Sequence, residues 1–383
     1  MADRPRILIA GGGIGGLALA QALRRDDQDV VVFERDPTPE VRNQGYRIHI
    51  DADANAALQA CLAPPLHTTM CSSSGVSSSL VAFYSPQLEL VNSLTLPATD
   101  GEITHMDRST FRKVLLTGLD DVVRFGRTVS GFDVTPAGRV RVSLADGGVE
   151  EGDLLVGADG ARSAICRQLL PHASVRDLGL RCIYGRIPLD DTTRALLPED
   201  FHRGTIWVAD DNDCGAGFAP MQFRTRPEEA SDYLMVTLFT TATRLGIPGE
   251  DEYRRLAAPE LRRITADLTG HWHPRLREVF DRTPADSLLP IPIRAGERVA
   301  PWPAGPVTVL GDAIHLMPPT GGVGTSAAMQ DAATLAGELR KAAEQGRTLV
   351  DAVAAYERVM LPRGFDIIDG ALKTAALMFG REF

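Results

Sequence analysis

The segment VTVLGDAIHLMPPTGGVGTSAAMQDAATLAGEL, residues 307–339, decides how the rest of the chain is read. An apolar run, Val307 to Leu310, stops at Gly311-Asp312; a proline-glycine stretch follows, and apolar residues at helical spacing resume near Thr325. That succession is strand, loop and helix. The Asp312 carboxylate can accept hydrogen bonds from polyol hydroxyls, and the glycines let the backbone approach a flat ring. The helix start, with its free N–H groups and positive dipole end, favours negative charge beside that ring. A dinucleotide carrying a reducible ring fits these requirements.

The other end of the chain carries the complementary half. Arg6 to Ala10 reads as a short strand, Gly11-Gly12-Gly13-Ile14-Gly15-Gly16 as a turn, Leu17 to Arg25 as a helix and Val30 to Phe33 as a second strand. In such a unit Gly11 gives the tight turn, Gly13 lets the backbone reach a pyrophosphate, and Gly16 allows close helix–strand packing. Glu34, at the end of the second strand, takes a ribose hydroxyl pair. A carboxylate there repels a 2'-phosphate, so the site prefers the adenosine of FAD or NAD, and Arg35 alone does not reverse this. The same stretch imitates a signal peptide, but its glycines would weaken any membrane or signal helix.

Between these ends, Arg42 and Arg47 are either contacts for a pyrophosphate or second nucleotide, or exposed arginines. Ala52 to Cys61 is helical, and the serine-rich run from Cys71 to Ser79 reads as a flexible passage into a second domain. Leu80 to Tyr84 and Leu88 to Leu96 are strands of that domain; a helix follows Met106-Asp107, then strands at Val122 to Phe125, Thr128 to Val134 and Val140 to Leu144. A further buried strand ends in Gly157-Ala158-Asp159-Gly160, the second glycine-acid turn. From about Arg176 to Leu289 hairpins dominate, including Thr205 to Val208, Gly215 to Phe223 and Tyr233 to Thr240. Trp207, Phe218, Met221, Phe223, Met235 and Phe239 there are candidates to face an apolar planar ligand or to fill a core. Asp210 to Asp213 reads as a hairpin turn, and His271-Trp272-His273 lacks a third metal ligand. Glu252 to Leu268 reads as one amphipathic helix, and the C-terminal helices as broken at Pro362.

Length and composition agree with this. The 383 residues allow two domains; 44% hydrophobic and 23% charged residues are ordinary for a globular chain. A net charge of -10 and a pI near 5.4 argue against a nucleic-acid surface. The five scattered cysteines contain no CxxC pair and read as reduced thiols of a cytoplasmic protein, and no run is long enough to span a bilayer.

Three motifs in order, GGGIGG with Glu34, GADGARS, and GDAIHLMPPTGGVG, resemble those of the FAD-dependent aromatic hydroxylases. These are single-component flavoprotein monooxygenases similar to para-hydroxybenzoate hydroxylase, salicylate hydroxylase and the tetracycline-inactivating monooxygenases. The resemblance spans nearly the whole chain. It implies an α/β fold: a glutathione-reductase-like Rossmann FAD-binding domain, an inserted, mostly antiparallel β-sheet substrate domain, and C-terminal helices. The FAD domain would comprise residues 1–75, 101–175 and 290–345, the substrate domain 76–100 and 176–289, and the C-terminal helices 346–383. It further implies that Gly11, Gly13 and Gly16, with Ile14 and Gly15, take the pyrophosphate of FAD, with Arg42 near it. Glu34, with Arg35 and Val129 alongside, serves the adenosine, and Arg108 the phosphate-ribityl region. Asp159 and Gly160 serve FAD and NAD(P)H; Gly311 and Asp312 hold the ribityl chain. The loop Pro319 to Ser326, including Gly322, Val323, Gly324 and Thr325, lies against the isoalloxazine.

The implied activity uses NADPH or NADH, O2 and a flavin C4a-hydroperoxide to insert one oxygen atom into an aromatic or polyketide-like small molecule of secondary metabolism, in a monomer or homodimer. Ser326 departs from the family's usual asparagine, the chain resembles members lacking a C-terminal thioredoxin-like domain, and a WxWxIP motif of halogenases is absent. A flavin reductase or dehydrogenase, a non-catalytic FAD-binding protein, and epoxidation or Baeyer–Villiger chemistry remain open from sequence.

Overall fold

The structure is a computed structural model and describes residues 4–41, 46–78, 80–95, 103–380 and 382–383. It opens with β1 (Arg6–Ala10), α1 (Ile14–Arg25) and β2 (Asp29–Glu34). Gly11 turns at φ 111°, against the Ala158 carbonyl, and Gly16 packs on the Gly11 carbonyl; a Cβ at either position would collide with that backbone. β3 (Arg47–His49), α2 (Ala52–Cys61) and α3 (Pro64–Ser72) follow, with Asp51 capping α2 and Pro64 starting α3. Next come β4 (Leu80–Tyr84), β5 (Leu90–Thr95), β6 (His105–Asp107) and α4 (Arg108–Leu116), capped by Asp107.

The chain then builds β7 (Val123–Phe125), β8 (Val129–Val134), β9 (Val140–Leu144), β10 (Val149–Gly152), β11 (Leu154–Gly157) and α5 (Ala164–Leu169). The inserted region contains β12 (Val175–Pro188), α6 (Asp191–Leu196), α7 (Asp200–Arg203), β13 (Gly204–Asp210), β14 (Cys214–Met221) and β15 (Tyr233–Thr241). After α8 (Ala242–Leu245), α9 (Glu250–Arg254), α10 (Ala258–Thr269) and α11 (Pro274–Arg282), β16 (Leu289–Gly296) closes it. β17 (Val307–Val309), α12 (Gly324–Gln345) and α13 (Leu349–Phe379) complete the chain.

β17, β11, β1, β2 and β7 form a parallel sheet in that order, and β10, β9 and β8 a small antiparallel one. The near-continuous apolar runs of β1 and β11 follow from burial on both faces. The inserted sheet runs β16-β12-β15-β14-β13-β4-β5, antiparallel except where β4 meets β13. Register sorts its side chains. Tyr184, Thr237, Gly217, Trp207 and Phe83 follow one another across paired positions and share one face, here called inner. Ile183, Leu238, Ala216 and Val208 belong to the outer face, which packs with Phe201, Leu268, Trp272 and Phe280 into a core of its own.

Several sequence expectations change. α13 runs through Pro362 unbroken. That residue is exposed, so the Arg358 carbonyl it leaves without an N–H donor can be hydrated, while Gly364 on the buried side seats against His315. Glu252 to Leu268 is two helices, because α10 restarts at Ala258-Pro259 with Glu260 bonded back to the Ala257 amide at 2.9 Å. The serine-rich run is helical as far as Ser72, and Gly75 bridges Phe223. β16 pairs with β12 and so joins the inserted sheet.

Candidate functional site

Three glycine-bearing segments meet at the C-terminal edge of the parallel sheet, the place where open α/β folds hold ligands. At the nucleotide end, Glu34 is buried and accepts from the Gly12 amide at 2.8 Å and the Asp36 amide at 2.9 Å. Arg112 stands against it: Nη2 lies 3.5 Å from Glu34 and 3.7 Å from Asp36, while Nε donates to the Gly12 carbonyl at 3.1 Å. Arg112 was not singled out from sequence; its place one turn after Arg108 on α4 is the signal that would have found it. Gly13 has open space where a Cβ would stand, and α1 has neither a side-chain cap nor an acidic first turn. A cavity beside it is lined by Gly13, Ile14, Pro39, Arg108, Ser109 and Arg112. Free amides, a helix dipole and two arginines are groups that suit an anionic ligand.

Arg35 is exposed, and Val129 is buried at the start of β8 opposite Leu144. Arg42 lies outside the described residues. Asp159 caps the turn after β11, its Oδ2 accepting from the Ala164 amide at 2.7 Å, and Gly160 beside it takes φ 75°.

The flavin end is built by β17, its glycine turn and the start of α12. Asp312 is solvent-exposed, yet protein surrounds it closely enough that lost solvation raises its carboxyl pKa, against the pull of His315, Arg108 and Arg294. Gly321 and Gly322 adopt φ 91° and 68°, and a Cβ on Gly322 would stand 3.0 Å from the His49 Cβ of β3. α12 starts without a side-chain cap, and Ser326 in its first turn is buried. Below, Asp331 organises the loop: it accepts from the Gly311 amide at 2.9 Å, Arg363 at 2.8 Å and His315 at 2.5 Å. Burial alone would lower the His315 pKa, but the Asp331 carboxylate and its hydrogen bond outweigh that and raise it. The hydrogen-bonded His315–Asp331 pair therefore stands behind the turn that bears Asp312.

The inner face of the inserted sheet is joined to this loop by the β3 segment, where His49 abuts Gly322 and Tyr46 meets Tyr184. Trp207 is half-buried across Gly215 and Gly217; a Cβ on Gly217 would be 3.1 Å from its Cζ3. Phe239 lies 5.5 Å from Trp207, Tyr184 6.5 Å from Phe239 and Tyr46 4.8 Å from Tyr184, between ring centroids. Phe379 of α13 completes the cluster at 5.8 Å from Phe239. Met235 shares this face. Phe218 does not: it points to the outer face, 5.2 Å from Phe201, and is a core residue, because its register neighbour Val236 faces the helices. Met221 and Phe223 are buried with Tyr233 in a separate small cluster at the end of the sheet. Tyr46, Tyr184 and Phe379 escaped the sequence reading.

The residues fit an FAD. Asp159 Oδ1, Ser326 Oγ, Arg112 Nη2 and Tyr46 Oη are buried polar atoms without a hydrogen-bond partner, spread from the nucleotide end to the ring end. The histidine pair serves the fold instead: His271 Nε2 and Trp272 Nε1 both bond Asp210 Oδ2, at 2.7 and 2.8 Å, tying the β13–β14 turn to the helices. Among the described residues no helix is long and apolar enough to cross a membrane, and the five cysteines are unpaired.

Fold and site together define a flavoprotein oxidoreductase, and sequence comparison agrees. Residues 122–371 match the FAD binding domain family and residues 9–54 an NAD(P)-binding Rossmann-like domain, so the chain belongs to the FAD-dependent monooxygenases of that family. It is similar to a dual O-methyltransferase/FAD-dependent monooxygenase of Phaeosphaeria nodorum, 32% identical over 86% of this chain and 39% of that protein. The aurachin C monooxygenase/isomerase of Stigmatella aurantiaca is 31% identical over 96% of this chain and 88% of its own length. The chain thus spans less than half the length of the dual-function relatives. In fold it resembles Klebsiella pneumoniae HpxO solved with FAD and uric acid, with a TM-score of 0.78, 22% identity, and 98% and 89% of the two chains covered.

Proposed function

We propose that the chain is an NADPH- or NADH-driven monooxygenase that places one oxygen atom of O2 on an aromatic or polyketide-like small molecule. The observation that carries this reading is the convergence of the three glycine segments, joined through β3 to a half-exposed aromatic sheet face. A bound FAD would supply the hydride-accepting and oxygen-activating chemistry.

The chain's own residues divide the remaining work. Gly11 to Gly16, Arg112 and Glu34 hold the adenosine diphosphate, and Asp312 with Arg108 the polyol and phosphate. The free amides at the start of α12 face the ring, where they favour the anionic reduced form. Tyr184, Trp207, Phe239 and Phe379 exclude water and orient a planar substrate. The relative named as an aurachin C monooxygenase/isomerase and the HpxO complex with uric acid are consistent with a small-molecule ligand, flat in the latter case.

The test is oxidation of NADPH and of NADH by the purified FAD-loaded protein, followed with oxygen uptake and product analysis across a panel of polycyclic phenols. Ligand-stimulated oxidation with a hydroxylated or epoxidised product supports the reading. Oxidation that yields only hydrogen peroxide with every compound points to an oxidase or reductase, and no oxidation to a binding protein.

A further inference from the structure

Among the described residues, the buried Arg181 and the half-buried Arg363 and Arg112 are paired. Arg181 bonds both oxygens of Asp177 and the Pro248 carbonyl; Arg363 bonds Asp331; Arg112 bonds two carbonyls and faces two acids. Arg47 is different. Its Nε is enclosed without a partner, and among the described residues its guanidinium makes no hydrogen bond and no ion pair. Loss of solvent lowers its pKa to about 10. Arg47 is half-buried, its enclosed Nε has no acceptor, and a ligand bearing negative oxygen supplies one to the guanidinium.

Position says which ligand. Arg47 and His49 lie on one side of β3 by strand alternation, and His49 abuts Gly322 of the ring-side loop. Arg47 also acts electrostatically on Tyr233, which shares the inner face with Met235 and Phe239. It therefore stands between the ring-side loop and the sheet. The cavity lined by Gly13, Pro39, Arg108 and Arg112 does not include it.

The neighbours leave it as the charge of this wall. Tyr233 donates to Asp107 Oδ2 at 3.0 Å, and Asp107 Oδ1 caps α4, so that carboxylate is already engaged. Burial and then the Arg47 charge lower the pKa values of His49 and His105. The exposed Arg224 adds positive potential and bonds the Gly75 carbonyl and Ser77.

We propose that Arg47 is the anion-reading residue of the substrate site, and that the substrate is an acidic aromatic whose ionised phenol or enol oxygen pairs with its guanidinium. This rests on the monooxygenase reading above. The substrate hydroxyl gives its proton to water, and the oxygen binds as the anion. Conjugation then enriches the ortho and para carbons, the positions an electrophilic oxygen attacks, so one residue sets both recognition and reactivity.

Alizarin, whose ionised form has its own visible band, and alizarin dimethyl ether are the probes. They are titrated into the FAD-loaded protein and its R47M, R47Q and R47K variants, with FAD affinity and flavin reduction potential measured in parallel. The expected result is that the unmutated protein binds ionised alizarin and lowers its apparent pKa by about one unit or more. R47M and R47Q should weaken alizarin about tenfold or more, R47K less, with the ether and FAD unaffected. The proposal is overturned if the protein fails to bind alizarin, binds it neutral, or loses ether and alizarin equally in R47M. It is also overturned if R47M changes FAD affinity or potential and not dye binding, which would give Arg47 to the flavin. Binding needs no turnover, so failure of the monooxygenase reading shows separately, as bound dye without NAD(P)H oxidation.

Discussion

Around Gly11 to Gly16 the polar groups already answer one another: Glu34 takes two amides, Arg112 takes the Gly12 carbonyl, and a Cβ on Gly11 or Gly16 has no room. Along the inner face of the inserted sheet the reverse holds, with half-buried rings, an unpartnered Tyr46 hydroxyl and an unpaired Arg47. The first region is shaped by backbone, as a site for a single kind of ligand would be. The second is shaped by side chains and waits for a ligand to complete its pairing. Cofactor binding and substrate binding should therefore fail independently.

The sharpest break would come from Gly324→Asp. The new side chain would point toward Met317 and the Asp312 carboxylate, 3.6 and 4.0 Å from where the Cβ stands, and would put a second negative charge at the helix start. We expect FAD affinity to fall by about a hundredfold or more, read by flavin fluorescence. Normal flavin content in the purified variant would count against the ring-end assignment.

Phe218→Ala separates the two faces of the sheet. Removing this fully buried ring should cost about 3–5 kcal/mol in urea unfolding, with alizarin affinity unchanged. Weaker alizarin binding at full FAD occupancy would return Phe218 to the ligand side. A third variant examines the layer behind the cofactor. Burial raises the Glu357 pKa to about 7, against the hydrogen bond from Thr308. A carboxyl whose folded pKa exceeds its unfolded value of about 4.3 favours the native state when protonated, so stability falls as pH rises between those values. Glu357→Gln should therefore flatten the stability profile between about pH 4 and pH 7 by about 3 kcal/mol. An unchanged profile would show that Glu357 ionises freely. The smallest effect is that of Trp207→Ala, which should weaken alizarin about tenfold and leave FAD binding intact.

What could be read from sequence follows the same division. Gly11, Gly16 and Gly322 are visible because only glycine meets the backbone's demands there, and such demands leave motifs with fixed spacing. The βαβ unit, α2 and the hairpin of β13 and β14 were legible for a similar reason, since local periodicity and turns determine them. Phe218 and Trp207 sit eleven residues apart on adjacent strands and look alike in sequence; only register across β13, β14 and β15 puts one in the core and the other on the inner face. Arg47 read equally well as a nucleotide contact or an exposed arginine, because its lack of partners is a fact about β6, β15 and the glycine loop. Pro362 misled because a proline's cost depends on whether the freed carbonyl can reach water.

The most direct test supplies the FAD-loaded protein with NADPH, a panel of acidic polycyclic phenols and dioxygen labelled with heavy oxygen, and weighs the products. One labelled oxygen atom in an acidic substrate, absent from its methyl ether and absent when only the water is labelled, is the predicted result. NADPH consumed with stoichiometric hydrogen peroxide and no label in any compound would contradict it.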